Sequence, residues 1–204
     1  MNIEMTVRRA DAADASRVTE VFAEATADEA VLTWVMKDHP EIAQRWRTEH
    51  VPELIRHALH EDEVWVAAVG DDIRAVSLWR TVTDSEQGEQ EVSWARKLFE
   101  HTPVPPFRRL ATVTGALAAR HPEEFPHRYL QSIATVPRHR GSGAGGAILI
   151  HRLAAAERAG VPVYLEASTE RSAALYERCG FIRVGEPIPL PEDGPTMLPM
   201  WFRG

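Results

Sequence analysis

The chain has 204 residues, a mass of 22.8 kDa, 44% apolar residues with six tryptophans, and a formal charge of −7 at pH 7. That length and apolar content suit one self-folding domain over 1–204, and the acidic balance disfavours non-specific nucleic-acid binding while mildly favouring small cationic partners. One cysteine, Cys179, excludes an internal disulfide and a cysteine-type metal site; with every apolar stretch well short of the roughly 20 residues of a membrane span and no apolar leader in "MNIEMTVRRADAAD", the expectation is a soluble cytoplasmic protein with neither membrane nor nucleic acid as a partner.

In chain order, "MTVRRA" (5–10) predicts a short strand. After Asp14, a helix cap by type, Val18, Val21, Phe22 and Ala25 keep the i, i+3, i+4, i+7 spacing of an amphipathic helix. Residues 28–60 are mostly helical with breaks at Pro40 and Pro52, and 63–79 holds two β-rich runs around Gly70, Asp71 and Asp72, a hairpin pattern. The polar stretch 84–128 is helical again, divided at "TPVPPF" (102–107). "RYLQSIATV" (128–136) is a strand stopped by Pro137, and "AILIHRLAAAERAG" (147–160) is a helix with Leu149, Ile150, Leu153 and Ala156 on one face and Gly160 as its terminator. "VPVYLEAS" (161–168) has the composition of a buried strand, "ERSAALYERCGF" (170–181) is a short helix closed by Gly180, and two β-rich runs, 181–190 and 196–202, flank the turn "PEDGP". These elements make an α/β domain with a mixed sheet, in which strand, loop, helix and strand over 128–168 form a crossover unit.

Between that strand and helix lies "RHRGSGAGGAIL" (138–149), four glycines in six positions. Each glycine costs roughly 0.5–1 kcal/mol relative to alanine in regular structure, so the cluster is either a flexible connector or a backbone shaped for a purpose. A glycine turn from a strand end into a helix N-terminus aims successive N–H groups outward, where the helix dipole adds about half a positive charge; such turns bind phosphate. The nucleotide-triphosphate loop is excluded because no lysine follows, and a dinucleotide fold would require several alternating parallel strands with the glycine turn after the first.

The order Arg140-x-x-Gly143-x-Gly145 at a helix start, then "VYLEAS", then "ALYERCGF" resembles the coenzyme-A-binding signature of the GNAT superfamily of acyl-CoA-dependent N-acyltransferases. "AAERAGVP", the following "LE", "YER-GF" and "VWVA" before the hairpin are similar to segments of antibiotic N-acetyltransferases of the puromycin N-acetyltransferase type. The likeness is dense from about 128 to 186. It implies a mixed, mostly antiparallel sheet flanked by helices and splayed between its fourth and fifth strands. It implies acetyl-CoA as co-substrate with no metal, a small-molecule amine acceptor, and admits a homodimer.

The same resemblance assigns roles residue by residue. The pyrophosphate would lie on backbone N–H groups from about Arg140 through Gly141, Ser142, Gly143, Ala144 and Gly145 to Gly146, with the Ser142 hydroxyl and the Arg140 guanidinium as added contacts and Arg138 left in solvent. Ile133, Ala134 and Thr135 would run beside the pantetheine arm, one of their N–H groups facing the thioester carbonyl. Thr169 stands where many members carry an asparagine that touches pantetheine. Tyr176 is by position alone a core tyrosine or a phenolic acid with a pKa near 10; the surrounding L-Y-E-x-x-G-F pattern assigns it the proton for the leaving thiolate.

A general base is harder to place, because "YLQSIATV" lacks the glutamate that members often carry on this strand. Glu166 in the next strand is the candidate, acting directly or through water, since burial would raise its pKa toward neutrality; facing solvent or capping a neighbouring backbone group is the competing role. Cys179 has no His/Asn or Asp partner pattern and reads as a small apolar residue. Acceptor recognition is expected from "ADEAVLTWVM" (27–36) and "SWARKLFEHTPVPPF" (93–107), with Trp34, Trp94 and Phe107 better explained as core and His127 as a surface residue. The function implied is acetyl transfer from acetyl-CoA to a small primary amine, possession of an antibiotic or xenobiotic acceptor being one version; a protein amine acceptor and a non-catalytic acyl-CoA sensor are the alternatives.

Overall fold

In the computed structural model, which describes residues 4–204, strands whose side chains alternate between two apolar layers set the architecture. The elements in order are β1 (Met5–Arg9), α1 (Ala15–Ala25), α2 (Ala30–Val35), α3 (Pro40–Arg45), α4 (Val51–Glu61), β2 (Glu63–Val69), β3 (Asp72–Val82), α5 (Glu86–His101), α6 (Pro105–Ala118), β4 (His127–Thr135), α7 (Ala144–Ala159), β5 (Val163–Ala167), α8 (Glu170–Arg178), β6 (Ile182–Arg183), β7 (Ile188–Pro189) and β8 (Thr196–Phe202). The sheet order is β1-β2-β3-β4-β5-β8-β6, with β7 also on β8. Every pairing is antiparallel except β4 with β5.

One face of the sheet carries α1 and α4, whose Val18, Val21, Phe22, Ile55 and Ala58 pack on Val64, Val66, Val76 and Leu78. The opposite face carries α7 and α8, whose Leu149, Leu153 and Ala173 meet Trp79, Leu130, Val163 and Leu165. Fully burying a side chain of this kind stabilises the fold by about 1.5–3 kcal/mol. Strand periodicity of two sends Leu130, Val163 and Leu165 to the α7 side and leaves Tyr129, Tyr164 and Glu166 on the other. A smaller cluster of Trp34, Met36, Val113, Ile188, Leu190 and Met197 ties α2 and α6 to the C-terminal hairpin.

Two irregularities shape the centre of the sheet. Leu78 pairs with Ser132 but Trp79 pairs with Leu130, so Gln131 is an extra residue in β4, a bulge that bends the strand. The β4–β5 ladder holds only Arg128–Val163 and Tyr129–Tyr164, while β4 stays on β3 to Thr135 and β5 stays on β8 to Ala167. Beyond Tyr129 the two strands diverge, and the β5-facing edge of β4 from Leu130 onward has no strand partner. This is the splay expected between the fourth and fifth strands.

Several sequence expectations require correction. Ile150 is 68% exposed, because Leu149, Leu153 and Ala156 already define the buried stripe and Ile150 lies about 100° around the helix from Leu149. Trp94 is 43% exposed, stacked on His50 at a ring separation of 5.2 Å instead of entering the core. His127, read as a surface residue, is fully buried as the first residue of β4. Asp14 is the N-cap residue of α1 as expected but makes no side-chain cap bond there: it bonds back to the Asp11 N–H, while Asp11 caps the preceding 3-10 turn by accepting from the Ala13 N–H. The run 181–190 yields only two short pairings on β8, interrupted at Gly185, which adopts φ +62°.

Candidate active site

The turn before α7 owes its shape to glycine at two positions. Gly141 and Gly143 have φ of +83° and +84°, a region that costs a side-chain-bearing residue roughly 1–2 kcal/mol. Gly145 is required for another reason: a β-carbon there would lie 3.1 Å from Thr135 Oγ1 of β4, so this glycine lets the helix start press onto the strand. Ala144 is buried against Ala67, Ala75 and Ile148, which anchors the first turn of α7 from the inside. The helix starts at Ala144, three residues before the start expected from the apolar pattern, because Gly145 and Gly146 are helical despite their low propensity.

Which amides this turn presents is definite. The N–H groups of Arg140 and Ser142 are bonded to the carbonyls of Pro137 and His139, whereas those of Gly141, Gly143, Ala144, Gly145 and Gly146 have no acceptor among the described residues. Helical bonding begins only with the Ala147 N–H on the Gly143 carbonyl at 2.8 Å. The orphan donors of a helix N-terminus therefore cluster at Gly141 and 143–146, which fits a diphosphate; the amides of Arg140 and Ser142 drop out of the expected cradle. The Arg140 guanidinium forms a bidentate pair with Asp28, 2.6 Å to each oxygen, and bonds the Thr135 carbonyl. Arg138 pairs with Glu24.

A cavity of about 290 Å³ opens beside the splay. Ile133, Glu166 and Tyr176 all line it, so three residues from separate segments of the sequence come together. Ala134 and Thr135 lie on the same strand outside it: Ala134 packs into the α1/α4 core, and Thr135 meets Gly145. Thr169 is not part of this wall. Its hydroxyl caps α8 by accepting from the Ser172 N–H at 3.1 Å and pairs with the Ser172 hydroxyl at 2.9 Å, and the neighbouring Ser168 lines the cavity instead.

Glu166 is a deeply buried carboxylate of the site. Its side chain is 2% exposed, and burial raises its pKa to about 7, an effect only partly offset by the Tyr129 hydroxyl, which donates to Oε2 at 2.9 Å. Oε1 is buried without a close hydrogen-bond partner, and the Tyr164 hydroxyl lies on the same face, near enough to Glu166 to favour its ionised form as Tyr129 does. Solvent exposure does not describe this carboxylate, whose backbone contact is with its own residue. Tyr176 is 8% exposed on α8, and burial, with the nearby charge of Glu29, pushes its phenol above its ordinary value. It therefore keeps its proton throughout the neutral range, as a group serving as an acid must. Cys179 packs partly buried near the Tyr176 cluster with its thiol pushed up by burial, which removes any reason to read it as a nucleophile.

The remaining wall comes from segments only partly anticipated. Residues 27–36 supply Glu29, Val31 and Leu32, with Glu29 also capping α2 by accepting from the Leu32 N–H at 2.9 Å. Trp34 is core and Phe107 half-buried away from the cavity, and nothing from 93–107 lines it. Trp46, placed by a π-helical turn at Trp46–His50 that joins α3 to α4, adds to an aromatic lining that includes Phe22, Tyr129 and Tyr176. Tyr129, Glu29 and Trp46 were not singled out from the sequence. The Trp46 position depends on that π turn, which has no compositional signature, while "YLQ" two residues into a strand could have flagged Tyr129 as the partner of Glu166.

Comparison with known proteins bears on the fold and the family. An acetyltransferase from Corynebacterium glutamicum, described as histone acetyltransferase HPA2 and related acetyltransferase, is similar at 29% identity with a TM-score of 0.69, over 97% of this chain and 94% of that one. An agmatine N-acetyltransferase shares the fold at 15% identity and a TM-score of 0.73, over 98% of this chain and 99% of that one. The polyamine N-acetyltransferase of Drosophila melanogaster does so at 15% identity and 0.72, over 98% and 100%. Residues 28–181, well over half of the chain, match the profile of the acetyltransferase (GNAT) family. The splayed strands, the glycine turn with its free amides and this match together make the chain a member of the acetyltransferase (GNAT) family.

Proposed function

We propose that the protein transfers the acetyl group of acetyl-CoA to the primary amine of a small molecule by direct attack, with no covalent enzyme intermediate. The observation that carries this reading is the convergence of Glu166 and Tyr176 on one cavity at the mouth of the β4–β5 splay. When bound, acetyl-CoA supplies a thioester, an activated acyl donor. The amides of Gly141 and 143–146, reinforced by the α7 dipole, hold its diphosphate, and Arg140 adds charge at the rim.

Glu166 takes the proton that the attacking ammonium or amine must lose, directly or through one water; a pKa of about 7 suits a base at neutral pH. The Tyr176 hydroxyl holds the proton that the departing thiolate needs. Apolar walls from Val31, Leu32 and Trp46 exclude water from the amine and give an organic acceptor a surface to bury.

The acceptor class draws support from the walls and, more weakly, from the amine-acetylating neighbours. The segments similar to antibiotic N-acetyltransferases favour an antibiotic or xenobiotic amine in the cytoplasm. The test is to incubate the protein with acetyl-CoA and a panel of aminonucleosides, aminoglycosides, polyamines and peptides while following free thiol. Turnover with a small amine supports the proposal. Turnover confined to peptides replaces it with protein acetylation, and tight coenzyme binding with no turnover replaces it with an acyl-CoA sensor.

A further inference from the structure

A second cavity, of about 520 Å³, lies beside the first and shares with it the wall made by Val31, Val113, Leu117, Tyr129 and Gln131. Glu166 lines the first cavity, and His121, in the segment after α6, lines the second. Across the wall His121 Nδ1 stands 3.9 Å from Glu166 Oε1, the oxygen that has no hydrogen-bond partner.

The hydrogen bonds behind His121 fix where its proton sits. His127 Nδ1 is 2.8 Å from the Glu124 carbonyl, which can only accept, so His127 donates there. Burial lowers the His127 pKa and keeps the ring neutral, which leaves its Nε2 as an acceptor. His121 Nε2 is 3.0 Å from that atom and must therefore be the donor. Neutral His121 then carries a bare lone pair on Nδ1, the ring atom that stands 3.9 Å from Glu166 Oε1. Two facing acceptors repel, and a proton between them relieves the repulsion. Oε2 is occupied by the Tyr129 donor, so the proton of neutral Glu166 belongs on Oε1, the oxygen nearer His121, with the Tyr164 hydroxyl beside the same carboxyl group.

We propose that His121 is the proton exit of the site, accepting through Nδ1 the proton that Glu166 removes from the acceptor amine and releasing it to solvent in the second cavity. This rests on the transfer reaction proposed above. In proton terms, the amine N–H bond breaks as the Glu166 O–H bond forms. Once the two atoms close from 3.9 Å to hydrogen-bond distance, that O–H bond breaks as His121 Nδ1–H forms, which restores the carboxylate, and the imidazolium then loses the Nδ1 proton to water, which restores the neutral Nε2–H ring.

The groups around the pair suit the task. Glu166 faces Tyr129 from β4, Tyr164 from β5 and His121. The His121 ring meets the edges of Tyr129 and Tyr164 at 5.1 Å each and feels the positive charge of Arg80 on β3, which is itself paired with Glu91 of α5 at 2.7 Å. Burial, the neighbouring His127 and Arg80 hold His121 down to about 4, so the ring passes a proton on and does not retain it. His121 acts on the reacting atoms only through Glu166 and is a positioning and relay residue.

The experiment combines a resting-state readout with a kinetic one. Nitrogen-15 NMR of histidine-labelled protein is expected to show His121 as the Nε2–H tautomer, with its Nδ1 signal moving as pH passes through about 7 and that movement absent in Glu166→Gln. In turnover, His121→Ala and His121→Gln are expected to lower kcat at least about tenfold with the KM for acetyl-CoA unchanged, and free imidazole to restore His121→Ala but not affect the wild type. An Nδ1–H tautomer, an unchanged kcat in both variants, or a loss that imidazole does not restore overturns the relay. Failure of the wild type to acetylate any amine would instead sink the transfer reaction, and the tautomer measurement would still decide whether His121 addresses Glu166.

Discussion

The Tyr129 hydroxyl donates to Glu166 Oε2 at 2.9 Å from the neighbouring strand, at the last register pair before β4 and β5 separate. The bond stabilises the ionised carboxylate and so opposes the burial that raises its pKa to about 7. The balance between the two sets the pH at which the base is available.

Tyr129→Phe removes that donor and leaves burial unopposed at Oε2. The acid limb of the kcat/KM profile is expected to move up by about one pH unit, on the scale of a hydrogen bond to a charged group. An unmoved limb would mean that Glu166 is not the titrating base.

Glu166→Gln should lower kcat by about 10²–10⁴ and abolish the limb near pH 7. It should also change the pH dependence of stability. The folded-state pKa is raised from 4.5 to about 7, so the contribution of Glu166 to stability is fully present below 4.5 and is lost as pH rises through 7, about 3 kcal/mol in all. Thermal melts are expected to show the wild type falling relative to Glu166→Gln between those pH values; parallel curves would contradict the buried carboxylate.

Gly143→Val places a β-branched side chain at φ +84° and reshapes the turn that presents the free amides. Coenzyme affinity is expected to fall by at least about tenfold, with the melting temperature lowered by several degrees, because the strained backbone costs about 1–2 kcal/mol even on an exposed turn. Isothermal titration with coenzyme A checks this, and unchanged affinity would remove the phosphate role from the turn.

Arg140 and Asp28 hold each other in an exposed bidentate pair worth at most about 1 kcal/mol. Asp28→Asn should free the guanidinium and tighten coenzyme binding by about two- to fivefold, while Arg140→Ala should weaken it more at low salt than at high salt. If both variants bind as the wild type does, Arg140 serves the Asp28 contact alone.

The sheet, its crossover and the glycine turn were legible because each rests on local rules: period-two strands, proline and glycine stops, and positive φ at Gly141 and Gly143. Tyr176 stands out by its motif and Glu166 as a carboxylate in an apolar strand, but neither signal carries the physical environment of Glu166. Burial of Glu166 depends on Tyr129 and Tyr164 stacking across β4 and β5 at 6.1 Å, a long-range contact with no signal in either segment. His127 illustrates the same limit, since a histidine after "FP" looks like a loop residue until β4 carries it under Trp201, 5.2 Å away. Trp94 erred in the opposite sense, because the polar composition of α5 leaves room for a stack with His50 on the surface.

The central claim is that Tyr176 and Glu166 act on one acyl transfer in one cavity, and Tyr176→Phe tests it most directly when kcat and the coenzyme A dissociation constant are measured on the same protein. A fall in kcat of about a hundredfold with coenzyme affinity within twofold of the wild type is expected, because the hydroxyl serves the leaving thiolate and the ring keeps its packing against Phe181. Equal losses in both quantities, or no loss in kcat, would contradict it.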